Sequence, residues 1–346
     1  MDENGGINLK FDKKPNKLIL IAGLGLLLFI LPFLTKLIVG NQYPLLIMCI
    51  IMIYIIAVTG LDILFGYCGQ ISLGHAAFFT LGAYTTGLLN MYFNLPLFIT
   101  IPAATVLTSV LGALLAYPAS KLKFHFLSLA TVAFGEITYY FLYTSPGGFT
   151  RDFRGINVVG ISFLGEDYLK WYFFLLFFVV LVLLGKTSLI KSRTGRAFTA
   201  IRENTHAADG MGINVRKQKI IAFTVSAFLT GLAGALYVHL IKYISPETSM
   251  QKQSVLFLTM LLFGGTASIM GTILGVVSIE VLMEAIRFLQ EYQMLFYGIL
   301  LLIVIVALPG GVYGGIKDLI VTIKRKKALK ALNVQKAADT GKDGAE

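Results

Sequence analysis

Several ionisable residues in this chain could do chemistry, and they are embedded in apolar sequence. Glu136 lies inside "FHFLSLATVAFGEITYYFLY" (124–143). An ionised group at membrane depth persists only when paired or hydrated, so this carboxylate either lines a solute path or serves as a buried structural acceptor. His75, in "SLGHAAF" (72–78), could relay a proton or satisfy a helix contact. Glu280, Glu284 and Arg287 stand four and three residues apart, so a helix would align them as a cytoplasmic or interfacial ion-pair patch.

Enzyme chemistry has little to draw on. The sequence holds no HExxH, no GxSxG and no dinucleotide-binding glycine fingerprint. "GKT" (185–187) matches the end of a phosphate loop, but the first glycine of such a loop would fall at Val180, within an apolar run. The reading is therefore a chain with no catalytic residue and no metal or cofactor of its own. Cys49 and Cys68, with no CxxC and no histidine at ligand spacing, read as packing residues.

The elements that must position these groups are membrane helices. Of 346 residues, 56% are hydrophobic and 14% charged, against about 25% charged in soluble domains. The 29 Lys and Arg exceed the 18 Asp and Glu by 11, yet they cluster at the tails and in one central loop. That is the positive-inside pattern of a polytopic protein on lipid; it is not a nucleic-acid groove. Apolar runs at 18–34, 44–65, 73–90, 97–117, 124–143, 171–185, 220–241, 254–285 and 290–308 predict an all-α polytopic membrane protein of about eight to ten transmembrane helices, some short or broken.

The partition expected is a cytoplasmic tail at 1–17, a transmembrane domain at 18–316 with a cytoplasmic loop at 186–219, and a basic cytoplasmic tail at 317–346. The first apolar run lacks a small-residue cleavage site and reads as a retained span or anchor. Both termini and the central loop on one side demand even numbers of crossings. The 254–285 block must then hold two passes or a half-helix pair turning near Gly264–Gly271. Loop 144–170, on the other side, is either a surface for an external partner or a solvated connection.

Two glycine-broken stretches stand early in the two halves of the chain, "GQISLG" (69–74) and "GTASIMG" (265–271). Transporters built from repeats put such segments near the solute. Candidates for a translocation pathway are thus Gly69, Gln70, Ser72, Gly74, His75, Glu136, Gly265, Ser268 and Gly271, although small residues also serve close helix packing. Between the apolar blocks, "GRAFTAIRENTHAADGMGI" (195–213) spaces Ala197, Ile201, Ala208 and Met211 as one face of an amphipathic helix. It could rest on anionic lipid or dock into a groove of a cytoplasmic partner.

Here a resemblance enters. "HAADGMG" (206–212) resembles the EAA loop of ABC importer permeases, with His206 in place of the usual Glu. In order, "GYCGQISLGHAAFFTLGAY" (66–84), "SLATVAFGEI" (128–137), "GRAFTAIREN" (195–204), "ISPETSM" (244–250) and "EYQMLFYGILLLIVIVALPGGV" (291–312) are similar to the M-type membrane subunit of the leucine/isoleucine/valine ABC importers. The resemblance covers roughly 44–315 and implies a multi-pass permease of a bacterial-type cytoplasmic membrane. Its implied partners are a homologous second permease, two cytoplasmic ATPase subunits that use ATP and Mg, and an extracytoplasmic solute-binding protein.

The same resemblance makes the polar segment a coupling helix, with Arg196, Arg202, Glu203, Ala207, Ala208 and Gly212 as contact candidates. The cargo expected is a branched-chain or other hydrophobic amino acid; related permeases carry urea, amides or nucleosides. One departure stands out: "TRDFRGI" (150–156) has Arg151 and Asp152 where the family commonly has glycines. The alternative reading is an ion-coupled secondary transporter with Glu136 or His75 as its coupling group.

Overall fold

The computed structural model of the chain describes residues 42–120, 124–158, 167–287 and 310–315, with a few isolated positions besides. The expected spans at 18–34 and 290–308 and both tails lie outside the described residues, apart from isolated positions in the runs.

The described chain is helical almost throughout. It comprises α1 (Tyr43–Leu61), a π-helical turn (Asp62–Tyr67), α2 (His75–Phe93), α3 (Leu97–Ala119), α4 (Phe124–Thr144), α5 (Tyr168–Lys191), α6 (Arg193–Glu203), α7 (Thr205–Gly210), α8 (Val215–Ile241), α9 (Gln251–Gly264) and α10 (Ile269–Ala285). Five of these segments, beginning at Tyr43, Leu97, Phe126, Tyr168 and Val215, are long and apolar enough to cross a membrane. The apolar runs anticipated them to within a few residues, because a span must be continuously apolar to bury its backbone in lipid.

α8 is the centre. It packs on α1, α2 and α3, and 67% of its apolar window is buried, against 28% for α4 and 22% for α5. Small residues make that possible: Ala227, Ala233 and Ala235 are fully buried, and backbone of α2 lies directly against Gly234. α4 touches the bundle along a narrow stripe of Leu127, Thr131, Thr138 and Leu142. Phe134 adds a ring stacked on Phe78, 5.1 Å between centroids, and most of the remaining surface faces outward.

The 254–285 block is a pair of helices, as parity required. At 14 residues, α9 is about 21 Å long and too short for a ~30 Å hydrocarbon core. The chain turns at 265–268, and Ser268 starts α10 by accepting a hydrogen bond from the Gly271 amide at 3.1 Å. At the other end of the bundle, a two-residue ribbon pairs Ile156–Asn157 with Tyr243–Ile244, antiparallel. It ties the loop after α4 to the loop after α8. In that first loop Arg151 and Asp152 both hold positive φ, 60° and 56°, the left-handed region that glycine enters most readily.

Candidate functional site

The polar segment between α5 and α8 is built by three successive caps. The Ser192 hydroxyl accepts from Gly195 N at 3.3 Å, Asn204 Oδ1 from His206 N at 2.9 Å and Ala207 N at 3.0 Å, and Asn214 Oδ1 from Lys217 N at 3.0 Å. Each cap satisfies amides that the start of a helix leaves unpaired. The amphipathic helix expected over 196–212 is therefore two helices, broken where Asn204 turns extended (φ −157°) to cap α7.

The faces follow from that break. Ala197, Phe198, Ile201 and Ala208 point inward and are buried. Met211, assigned to the apolar stripe from spacing, is 83% exposed, because the helix has ended at Gly210. Arg196, Glu203, Ala207 and Gly212 are exposed. Ala208 is covered by its own chain, and the Arg196 guanidinium returns to the Lys191 carbonyl at 3.1 Å.

Arg202 leads inward. Its guanidinium donates to the Gly66 carbonyl, and its side chain lies against Gly69. Gly66 sits in the π-helical turn, whose first residue, Asp62, forms a 2.6 Å ion pair with Lys186 of α5, both side chains at 0% exposure. Lys186 also reaches the Thr272 hydroxyl at 3.3 Å. The second Asp62 oxygen accepts from Ala267 N at 2.7 Å, and the Tyr67 hydroxyl donates to the Ala267 carbonyl at 3.0 Å. These two bonds hold Ala267 at φ 55°, a left-handed conformation that costs a non-glycine about 1–2 kcal/mol.

Three parts of the chain thus meet at one charge pair: the turn after α1, the end of α5 and the turn between α9 and α10. Sequence reasoning missed both partners. The loop expected from position 186 begins later, since α5 runs on to Lys191. Asp62 is an acid in the apolar run 44–65, the same signal that singled out Glu136.

The remaining candidates fall into separate places. His75 is buried, with Nδ1 2.9 Å from the Ser72 hydroxyl and Nε2 2.7 Å from the Ser226 hydroxyl. Ser226 spends its proton on the Gly60 carbonyl at 2.7 Å, so in a neutral ring Nε2 is the donor and Nδ1 accepts from Ser72. The imidazole joins α1, α2 and α8. Gln70 is buried beside Cys68, and Gly74 lies against the Thr131 backbone of α4. Gly265 (φ 110°) and Gly271 pack into the α9–α10 turn, with the Gly310 carbonyl against Gly265.

Glu136 is exposed on the outer face of α4, sharing it with exposed Leu129, Tyr140 and Tyr143. Its carboxylate makes no hydrogen bond or ion pair among the described residues. Glu284 and Arg287 do pair, at 3.6 Å, and both engage the Tyr43 hydroxyl. Tyr43 opens α1, so this patch lies at the end of the bundle away from Arg202. No group of three or more metal-ligating side chains occurs among the described residues.

The family model described as "Branched-chain amino acid transport system / permease component" matches residues 43–305. The high-affinity branched-chain amino acid transport system permease protein LivM of Escherichia coli (strain K12) is 32% identical over 286 residues, 75% of this chain and 67% of that one. The probable branched-chain amino acid transport permease protein LivM of Methanocaldococcus jannaschii is 24% identical over 329 residues, covering 80% and 95% of the two chains. The ribose import permease protein RbsC of Haemophilus influenzae is 26% identical over 273 residues, 74% and 79%. No solved structure matches the chain.

Proposed function

The chain belongs to the family of branched-chain amino acid transport system permease components, and from that premise we propose that it is the membrane-spanning permease of a binding-protein-dependent ABC importer carrying branched-chain or other hydrophobic amino acids. ATP hydrolysis, with its Mg, resides in two cytoplasmic ATPase subunits. A solute-binding protein delivers cargo on the outer side of the cytoplasmic membrane, and both termini of this chain lie inside.

The observation that carries the reading is the α6–α7 segment. It is short, capped at both starts and exposed through Glu203, Ala207 and Gly212, yet bonded inward through Arg202 to the turn that carries Asp62. A segment of this kind suits docking into a groove of an ATPase, the helix-in-groove mode. Movement of the docked segment would tilt the bundle as a body, which alternating access requires.

Glu136 supports a homologous second permease. A lone carboxylate facing lipid near mid-span costs about 2.5–3.5 kcal/mol, and this charge on an otherwise apolar and aromatic outer face of α4 is better matched by a partner enclosing a hydrated path. The test is purification of the tagged chain in mild detergent. Co-purification of an ATPase, released by disrupting Ala207–Gly212, is the expected result. A chain that purifies alone, with uptake abolished by an ionophore and independent of any ATPase, would overturn it in favour of an ion-coupled transporter.

A further inference from the structure

A cavity of 350 Å³ is bounded by α1, α2, α8 and the start of α9, within the range of small-molecule sites, about 300–1,000 Å³. Its wall is aromatic. Tyr54 and Phe79 stand 6.3 Å apart between ring centroids, and Phe79 and Tyr237 5.2 Å apart. Its rim is polar, from the 3₁₀ turn Pro246–Ser249 and the first turn of α9. There Glu247 and Lys252 contribute one charge of each sign, and Thr248 and Gln253 contribute neutral polar groups.

None of these four rim side chains makes a hydrogen bond or ion pair among the described residues. The Ser254 hydroxyl in the first turn of α9 accepts from the Ala76 amide at 2.9 Å, and α9 is 14 residues long, about 21 Å, so the rim sits beside the start of α2, one short helix away from the turn that Asp62 holds. The cavity also lies near α4, which packs against the Pro246–Ser249 turn.

We propose that this cavity is a recognition site for an α-amino acid with an apolar side chain, Glu247 taking the ammonium, Lys252 the carboxylate and the Tyr54–Phe79–Tyr237 wall the side chain. The chemistry is selective. A sugar offers C–H faces to stack and hydroxyls to bond but no charge to neutralise either Glu247 or Lys252. A zwitterion satisfies both, and charge-assisted hydrogen bonds are about twice as strong as neutral ones. Aromatic rings favour both an aliphatic side chain and a nearby ammonium. The inference rests on the importer reading and assigns the place in this chain where its cargo is read.

The test is binding of radiolabelled leucine to the purified importer complex without its solute-binding protein. Competitors are leucinamide, which lacks the carboxylate, and 4-methylpentanoate, which lacks the ammonium. The wild-type complex should prefer leucine to either by about tenfold or more, the value of one charge-assisted contact. Lys252→Gln should abolish the preference over leucinamide alone, and Glu247→Gln the preference over 4-methylpentanoate alone. Both side chains are exposed, so the yield of assembled complex should stay at the wild-type level. Unchanged preferences in both variants, or no leucine binding to the wild-type complex, overturn the site while leaving the importer reading intact. Absence of any ATPase from the purified wild-type material overturns the importer reading itself.

Discussion

Asp62 and Lys186, 124 positions apart in sequence, close a 2.6 Å ion pair with neither side chain exposed. A buried pair of this kind is a weak source of net stability but a strong constraint, because removing one partner strands the other in a medium that cannot solvate it. Lys186→Met should therefore destabilise the protein by about 3–5 kcal/mol. The double variant Asp62→Asn/Lys186→Met should recover most of that loss, since Asn can still accept from the Ala267 amide and no charge is left. Thermal unfolding in detergent, followed by size-exclusion fluorescence, reads both. A double variant as unstable as the single would show that geometry, and not stranded charge, sets the cost.

Arg202 offers a separate lever. Its bond to the Gly66 carbonyl joins α6 to the turn that holds Asp62, so Arg202→Gln should leave ATPase assembly intact and lower uptake per ATP hydrolysed by about tenfold, a coupling loss in the usual 1–3 kcal/mol range. Arg196→Gln is the control for the inward bond, because that guanidinium returns to the Lys191 carbonyl at the end of α5 and not to the turn that holds Asp62. Equal solute-to-ATP ratios in wild type and Arg202→Gln would reduce Arg202 to a packing residue.

Much of this architecture was legible in the sequence, and the misses share a cause. Apolar runs located α1 to α5 and α8 because a lipid-embedded helix is selected along its own length. Parity with glycine spacing located the α9–α10 turn. The break at Asn204 was masked because Ala197, Ile201 and Ala208 keep a helical period across it, while only the cap side chain marks the interruption. Asp62 and Lys186 went unpaired because no local spacing encodes a contact between helices so distant in sequence. The family resemblance did flag positions 151 and 152, where positive φ is held by Arg and Asp instead of glycine.

Gly212 separates docking from backbone strain. It holds φ +81° and nothing lies within 4 Å of where its Cβ would be, so a side chain there meets no neighbour in this chain. A β-branched residue still costs about 1–2 kcal/mol in that conformation, whereas asparagine tolerates it better. Gly212→Asn should keep wild-type abundance and lose uptake if the surface docks to an ATPase. Gly212→Val should lose uptake with some loss of abundance. Uptake retained in the Asn variant and lost only with Val would assign the glycine to the turn and count against docking.

Glu136 gives the sharpest separation between path and scaffold. Its carboxylate is exposed on α4 and has no hydrogen-bond or ion-pair partner among the described residues, so a structural role within this chain has nothing to remove. Glu136→Gln should leave membrane abundance and ATPase co-purification unchanged and reduce uptake by about tenfold, the scale of one charge-assisted contact with a solute or with ordered water. Glu136→Leu extends the argument: on a surface facing only lipid, replacing a charge with leucine raises stability and leaves transport alone, whereas on a hydrated path it abolishes transport. Uptake at wild-type level in both variants would remove Glu136 from the pathway and leave the outer face of α4 as a lipid contact.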